Sequence, residues 1–257
     1  PHSYYSAVDP VNGRTVLLFE DLSDANQGDS VGGCSTTDAQ LAIRLLAQFH
    51  ASWWETPQLE QLNWLPLKVA EAGVYQENYR IGWELLRGKA GEGMPRELLE
   101  IGERLGRDVP MIKSELTKPP RTLVHGDYRL DNIFFGKLID SETLVVFDWE
   151  YCAKGRGLYD VATFICEGFP PQRRKQEEMD LLRMYHSQLV ENGVHNYSFE
   201  ECLRDYKLSI LEFFVFLIVE GGHCDYEGER ATAYLHNVLK RTNVAITDLD
   251  CTGFLSF

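Results

Sequence analysis

An α+β fold is expected from three features of the sequence: two short β-branched runs before residue 22, a series of helix-period segments after residue 33, and one pair of apolar runs among them that reads as a central hairpin. The composition agrees. At 257 residues, 44% hydrophobic and 25% charged, the chain has the proportions of one large or two small folded domains, not of a disordered, collagenous or disulfide-stapled chain.

In order, Tyr4–Val8 and Thr15–Phe19 flank Asp9-Pro10-Val11-Asn12-Gly13, a β-hairpin signal. Asp24 to Gly33 is polar and Gly-rich, hence a loop. Thr36, Thr37 or Asp38 then caps a helix whose apolar face is Leu41, Leu45, Leu46, Phe49 and Trp53, and which stops by Pro57. Helical periodicity returns over Tyr75–Leu86, Leu98–Leu116 with Pro110 as a point of interruption, Arg173–Val190, Phe199–Val219 and Arg230–Ile246. Leu123-Val124, Ile133-Phe134-Phe135 and Leu144–Phe147 are the remaining strands. The longest apolar stretch, Leu208 to Val219, contains Glu212 and is too short to span a bilayer, so it predicts a buried helix and no membrane partner. No secretory signal is expected of the sequence as written, and its opening without Met leaves open that it is a fragment.

With 25 basic residues against 39 acidic ones, the net charge of −14 repels a phosphate backbone, so nucleic acid is not an expected partner. The acidic excess serves solubility first and favours a cationic substrate only mildly. The cysteines (Cys34, Cys152, Cys166, Cys202, Cys224, Cys251) form no C-x-x-C pair, which argues against a zinc ribbon or redox dithiol and fits reduced thiols in a cytoplasmic protein.

The chemistry is concentrated in Leu123-Val124-His125-Gly126-Asp127-Tyr128-Arg129-Leu130-Asp131-Asn132 and, after the next hairpin, Phe147-Asp148-Trp149-Glu150. An Asp and an Asn on one loop, followed by a hairpin ending in a second Asp, match the phosphoryl-transfer template. One Asp meets the acceptor hydroxyl, while an Asn oxygen and the other Asp hold Mg²⁺ against the phosphates. The competing reading makes Asp127 and Asn132 turn caps and Asp148 a strand end; building a hairpin does not need that set in that order.

This stretch resembles the aminoglycoside phosphotransferase and choline kinase superfamily, small-molecule kinases with a protein-kinase-like fold, and the likeness runs from about Thr15 to Ile165. The resemblance implies that Asp127 is the catalytic base and that Asn132 and Asp148 bind Mg²⁺ and, through it, ATP. Arg129 stands where protein kinases carry a Lys that touches the transferring phosphoryl group, and is either a second catalytic residue or a surface Arg paired with Asp131. His125 is expected to pack and hydrogen-bond beneath the loop. Asp160 is expected to steady that loop. Gly126 replaces the Arg that would read a phosphorylated activation loop, so no such regulation is expected. Leu17 to Leu22 resembles the last small-lobe strand and hinge, where the backbone of Glu20, Asp21 and Leu22 would hold adenine; the alternative is a plain strand end with Asp21 in a turn. Gly28-Asp29, Gly32-Gly33 and Phe49-His50-Ala51-Ser52-Trp53-Trp54 are similar to the branch near the ecdysteroid-kinase-like (CHK) group. The implied domains are 1–22, a remnant of the nucleotide lobe with the hinge, and 23–257, a helical catalytic and substrate-binding lobe.

The template also requires a Gly-rich turn over the phosphates, a strand Lys and a helix Glu, and no counterpart precedes the hairpin. Gly28–Gly33 follows the hinge and lacks G-K-[ST]. Two functions are therefore weighed: an ATP- and Mg²⁺-dependent phosphotransferase acting on the hydroxyl of a small-molecule alcohol, weak as this chain stands, and a catalytically dead nucleotide-sensing or interaction module. A metal hydrolase built on His125, Asp127 and Asp148 lacks further ligands and is set aside. Glu212, Glu220, Asp225, Glu227 and Glu229 with Tyr226 could receive a cationic substrate, although solvated helix ends explain them as well. Phe213, Phe214, Phe216, Trp53, Trp54 and Trp83 could face an apolar acceptor; buried core is the simpler reading.

Overall fold

The computed structural model describes residues 1–68, 72–90, 96–138, 141–223 and 228–255. Cys224, Asp225, Tyr226 and Glu227 lie outside them. The first apolar runs form β1 (Ser3–Val8) and β2 (Thr15–Phe19), antiparallel from Ser3 opposite Phe19 to Val8 opposite Thr15. Both faces of this ribbon are exposed, Tyr5 and Leu17 included. The loop that follows contains β3 (Asn26–Gln27) and leads to α1 (Thr36–Trp53).

The α1 cap is Ser35, not Thr36, Thr37 or Asp38. Its Oγ accepts the Asp38 N–H at 3.0 Å and donates to Asp38 Oδ2 at 2.7 Å, so the hydroxyl and the third helical residue satisfy each other. Leu41 and Leu46 are buried as expected, joined by Ala39, Ala42, Ile43 and Ala47. Pro57 does more than end the helix: with Thr56 Oγ1 accepting the Leu59 N–H, it opens a short α2 (Pro57–Gln61) at the position where a missing N–H costs nothing.

After α3 (Ala72–Ala90), α4 (Arg96–Thr117) runs through Pro110 without a break. Proline removes the donor that would serve the Gly106 carbonyl, and Gln76 Nε2 of α3 supplies one instead at 3.3 Å. β4 (Thr122–Val124), β5 (Ile133–Leu138), β6 (Ser141–Val146) and β7 (Ala153–Gly155) make the central sheets. β5 lies between β3 and β6, with Ile133 opposite Val146, and β4 pairs antiparallel with β7. β4 and β6 therefore deliver the two candidate catalytic segments from separate sheets.

The rest is helical: α5 (Leu158–Gly168), α6 (Pro171–Glu191), α7 (Phe199–His223) and α8 (Glu229–Asp248). α5 is not among the helices expected from the sequence: an 11-residue helix buried on every side, it is short enough for its apolar run to be ambiguous between helix and strand. α7 packs against α3, α4, α5 and α8, while α1 lies on α6. Glu212, the one charge in the apolar run of α7, is buried against Lys113 of α4. Among the described residues no helix is long and apolar enough to cross a membrane.

Candidate active site

The loop leaving β4 turns sharply at Gly126, whose φ is +87° and whose missing side chain would run into the Tyr151 carbonyl oxygen. The turn is anchored from below by Asp160 in the first turn of α5. Its Oδ2 accepts the His125 N–H at 2.7 Å and its Oδ1 the Gly126 N–H at 2.9 Å. His50 Nε2 of α1 stands 3.2 Å from Oδ2, and its Nδ1 lies 2.8 Å from the Tyr185 hydroxyl. Burial alone would raise the Asp160 carboxyl; the hydrogen bond and charge of His50, the His125 ring and the Gly126 N–H outweigh it and hold the group below the ordinary carboxylate value.

His125 is a spacer between the two candidate catalytic segments. The Asp127 N–H points to its Nδ1 at 3.2 Å, which assigns the proton to Nε2, and Nε2 donates to the Phe147 carbonyl at 2.9 Å. Trp149 covers the ring at 4.5 Å between centroids. The Phe147 N–H in turn reaches the Asn132 carbonyl at 3.2 Å. With Phe147 held at both ends, the next residue, Asp148, adopts φ +66°, a left-handed conformation that costs a non-glycine residue about 1 kcal/mol.

Asp127 is almost buried, and Asn132 sits behind it in the single 3-10 turn Leu130–Asn132. Asn132 Nδ2 donates to Asp127 Oδ2 at 2.8 Å and to the Asp127 carbonyl at 3.0 Å; Arg129 Nε donates to the same Oδ2 at 3.1 Å. One carboxylate oxygen is thus fixed by two donors. Arg129 Nη1 is also 3.8 Å from Asp131 Oδ2, the pairing of the surface reading, and the guanidinium lies 5.4 Å from the centroid of the Tyr234 ring of α8.

Asp127, Arg129 and Asp148 share an open cavity of about 640 Å³, lined also by Tyr151, Phe216, Glu220, Glu229, Arg230 and Tyr234. Carboxylates outnumber guanidiniums on its wall. Glu20, Asp21 and Leu22 do not line it: Asp21 Oδ1 accepts the Ser23 N–H at 2.9 Å and the Leu22 carbonyl accepts the Ala25 N–H at 2.9 Å, the turn of the alternative reading. Of the acidic candidates, Glu220 and Glu229 reach the cavity and Glu212 is consumed by Lys113. Phe216 lines it, whereas Phe213, Phe214 and Trp83 are core and Trp54 packs on Tyr197.

Several residues that shape the site carry no sequence signal. Arg230 donates to Asp29 Oδ1 at 3.0 Å and to Asp131 Oδ1 at 2.9 Å, tying α8 to the loop after β2 and to the loop that carries Asp127. Glu167 of α5, beneath Arg129, accepts from the Tyr234 hydroxyl at 2.9 Å. Burial, then the nearby Asp127 charge, push its carboxyl up to about 8. Among the described residues no cluster of three or more His, Cys, Asp and Glu forms a metal cage. Mg²⁺ makes a different demand, one or two protein oxygens with phosphates and water supplying the rest; Asp148 lines the cavity, whereas Asn132 lies behind Asp127 and does not. With Asn132 Nδ2 committed to Asp127, its Oδ1 is the atom left for a cation.

The model of a family described as phosphotransferase enzymes (APH) matches residues 5–195. No curated protein matches the chain in sequence. Among solved structures, an ethanolamine kinase of Plasmodium vivax aligns over 92% of this chain and 66% of its own, with a TM-score of 0.53 and 15% identity. A choline/ethanolamine kinase family protein of Mesorhizobium loti gives 96% and 74%, 0.55 and 16%. A microcompartment-associated aminopropanol kinase gives 95% and 70%, 0.57 and 17%. The shared property at these identities is the fold, a mostly helical, protein-kinase-like α+β architecture, and the chain spans about two thirds to three quarters of the lengths it is aligned with.

Proposed function

This chain belongs to the phosphotransferase enzyme family, and from that premise we propose that it moves the γ-phosphate of ATP, with Mg²⁺, to a hydroxyl of a small molecule. The observation that carries the proposal is the Asp127 carboxylate, fixed through one oxygen by Asn132 and Arg129 at the edge of a cavity that Asp148 also lines. Such a carboxylate can accept the acceptor's proton through Oδ1 as the hydroxyl oxygen attacks the γ-phosphorus and the bond to the bridging oxygen breaks, with ADP as the leaving group. Arg129, already on Asp127, is within reach of a phosphoryl group placed there and would offset its developing charge. Asn132 and Asp148 would hold Mg²⁺, which supplies charge neutralisation to the phosphate oxygens.

Residues 1–22 would belong to the nucleotide side and 23–257 would be the catalytic and acceptor lobe, with no adenine contact given to Glu20, Asp21 or Leu22, which are engaged in a turn off the cavity. The acidic excess on the cavity wall disfavours an anionic acceptor. The test begins with the melting temperature of the chain with ATP, with and without Mg²⁺, because a ligand of the folded state must raise it. A Mg²⁺-dependent rise is expected, lost in Asp148→Asn and kept in Asp127→Asn, while Asp127→Asn lowers phosphoryl transfer by about 10²- to 10⁴-fold. A nucleotide-dependent rise with no transfer to any hydroxyl compound or to water would favour the nucleotide-sensing module; unchanged turnover in both variants would sink the assignment.

A further inference from the structure

Gly126 and Asp127 share a peptide bond whose two polar ends are both held. The Asp127 N–H is taken by His125 Nδ1 at 3.2 Å, and the Gly126 carbonyl accepts from Lys68 Nζ at 3.3 Å. Restraint matters at this position because Gly126, at φ +87°, is free to exchange backbone conformers that a side chain would forbid, and an uncompensated rotation about its φ or ψ would turn the Asp127 side chain that follows away from Asn132 and Arg129.

Lys68 reaches the carbonyl from the segment between α2 and α3. Its own N–H is bonded to the Lys154 carbonyl at 2.9 Å, and Leu67 makes an isolated bridge to Lys154, so its backbone is fastened to β7. Its ammonium lies 4.0 Å from the centroid of Tyr159 and 6.0 Å from that of Phe216, the latter a wall of the active-site cavity. We infer that Lys68 is a positioning residue: its ammonium pins the Gly126–Asp127 peptide plane and so orients the catalytic carboxylate without touching substrate. The inference rests on the role proposed above for Asp127.

An ammonium is a costly way to serve one carbonyl if nothing more than a satisfied oxygen were needed. Burial lowers the Lys68 amine to about 8, with Glu212 of α7, Asp160 of α5 and Asp127 of the catalytic loop opposing the shift and Lys113 of α4 adding to it. The amine donates N–H in either protonation state. The three carboxylates favour retention of its charge, as does the Tyr159 ring 4.0 Å away. Holding a reacting group within a fraction of an ångström is the kind of contribution that a displacement of the loop would forfeit.

The test compares the parent with Lys68→Met, which keeps the stem and loses the donor, and Lys68→Arg, which keeps a donor. The readouts are steady-state hydrolysis of Mg²⁺-ATP to ADP and phosphate, and hydrogen–deuterium exchange of the peptide carrying residues 121–132. Lys68→Met is expected to lower kcat about ten- to a hundredfold with the KM for ATP within about twofold, to keep the Mg²⁺-ATP melting shift and to speed exchange in the loop; Lys68→Arg recovers most of the kcat. An unchanged kcat in Lys68→Met, a loss of nucleotide binding together with kcat, or an Arg variant no better than Met overturns the inference. If the parent itself neither binds nor hydrolyses Mg²⁺-ATP, the phosphotransfer reading falls, and the exchange data still decide the contact: equal loop exchange in parent and Lys68→Met overturns it.

Discussion

Asp160 and Glu167 are both buried in α5, yet their carboxyls are driven in opposite directions. Asp160 meets backbone N–H groups and His50, which outweigh desolvation, so its folded value lies below the unfolded one of about 3.9. The stability it contributes is present above about pH 4 and lost as pH falls through the lower folded value. Asp160→Asn presents an amide where the loop N–H groups and His50 need oxygens; it should cost about 3 kcal/mol at pH 7, with the gap to the parent closing below about pH 4 in urea titrations. A gap independent of pH would mean that packing, not charge, is the contribution. Glu167 has one hydroxyl donor, Tyr234, and no hydrogen-bond partner on Oε2 among the described residues. Its carboxyl is raised to about 8, so the parent keeps its full stability below the unfolded value of about 4.3 and loses it as pH rises through about 8. Glu167→Gln, neutral throughout, should match the parent near pH 4 and exceed it by a few kcal/mol at about pH 9. A parent as stable at pH 9 as at pH 5 would contradict the raised value.

At the scale of elements, the capping hydroxyl of α1 is a local feature with a local consequence. Ser35→Ala removes the acceptor of the Asp38 N–H, and chemical denaturation should show a loss of about 1 kcal/mol with the nucleotide-dependent melting shift unchanged. The cap also illustrates what local sequence resolves: Ser35, Thr36, Thr37 and Asp38 can all cap, and only the backbone turn selects among them. Helices with one wet face were legible, α1 and α4 among them, because their apolar residues recur with the helical period. α5 was not, because an 11-residue, mostly apolar run is ambiguous between helix and strand, and β3 and β7 are too short to display a period. As candidates, Asp127, Asn132 and Asp148 were legible because one loop and the end of one hairpin carry them in the order of the phosphoryl-transfer template. Lys68, Glu167, Arg230 and Tyr234 were not: Lys68 meets the catalytic loop across 58 residues and Arg230 across 99, separations at which no spacing rule operates.

At the scale of the molecule, a buried ion pair inside the helical lobe ties the packing of three helices to one electrostatic event. Lys113 of α4 bonds to Glu212 of α7, both side chains nearly inaccessible, and its ammonium lies 3.4 Å from the centroid of Tyr75 of α3. Glu212 Oε2 has no hydrogen-bond partner among the described residues, so the pair is incompletely compensated for its removal from water. Either partner alone would be left as an uncompensated charge, and Lys113→Met or Glu212→Leu should each cost about 3 to 5 kcal/mol. Removing both takes away the desolvation penalty along with the attraction, so the double variant Lys113→Met/Glu212→Leu should recover to within about 1 kcal/mol of the parent, or surpass it. The cycle separates this pair from the surface charge of −14, whose self-repulsion is screened by salt. Added sodium chloride should therefore raise the melting temperature of all four proteins by similar amounts and leave the coupling energy nearly constant. If the coupling fell in proportion to screening, or the two single losses simply added in the double variant, the pair would be acting as a solvated contact and the packing of α3, α4 and α7 would have to be secured by their apolar faces alone.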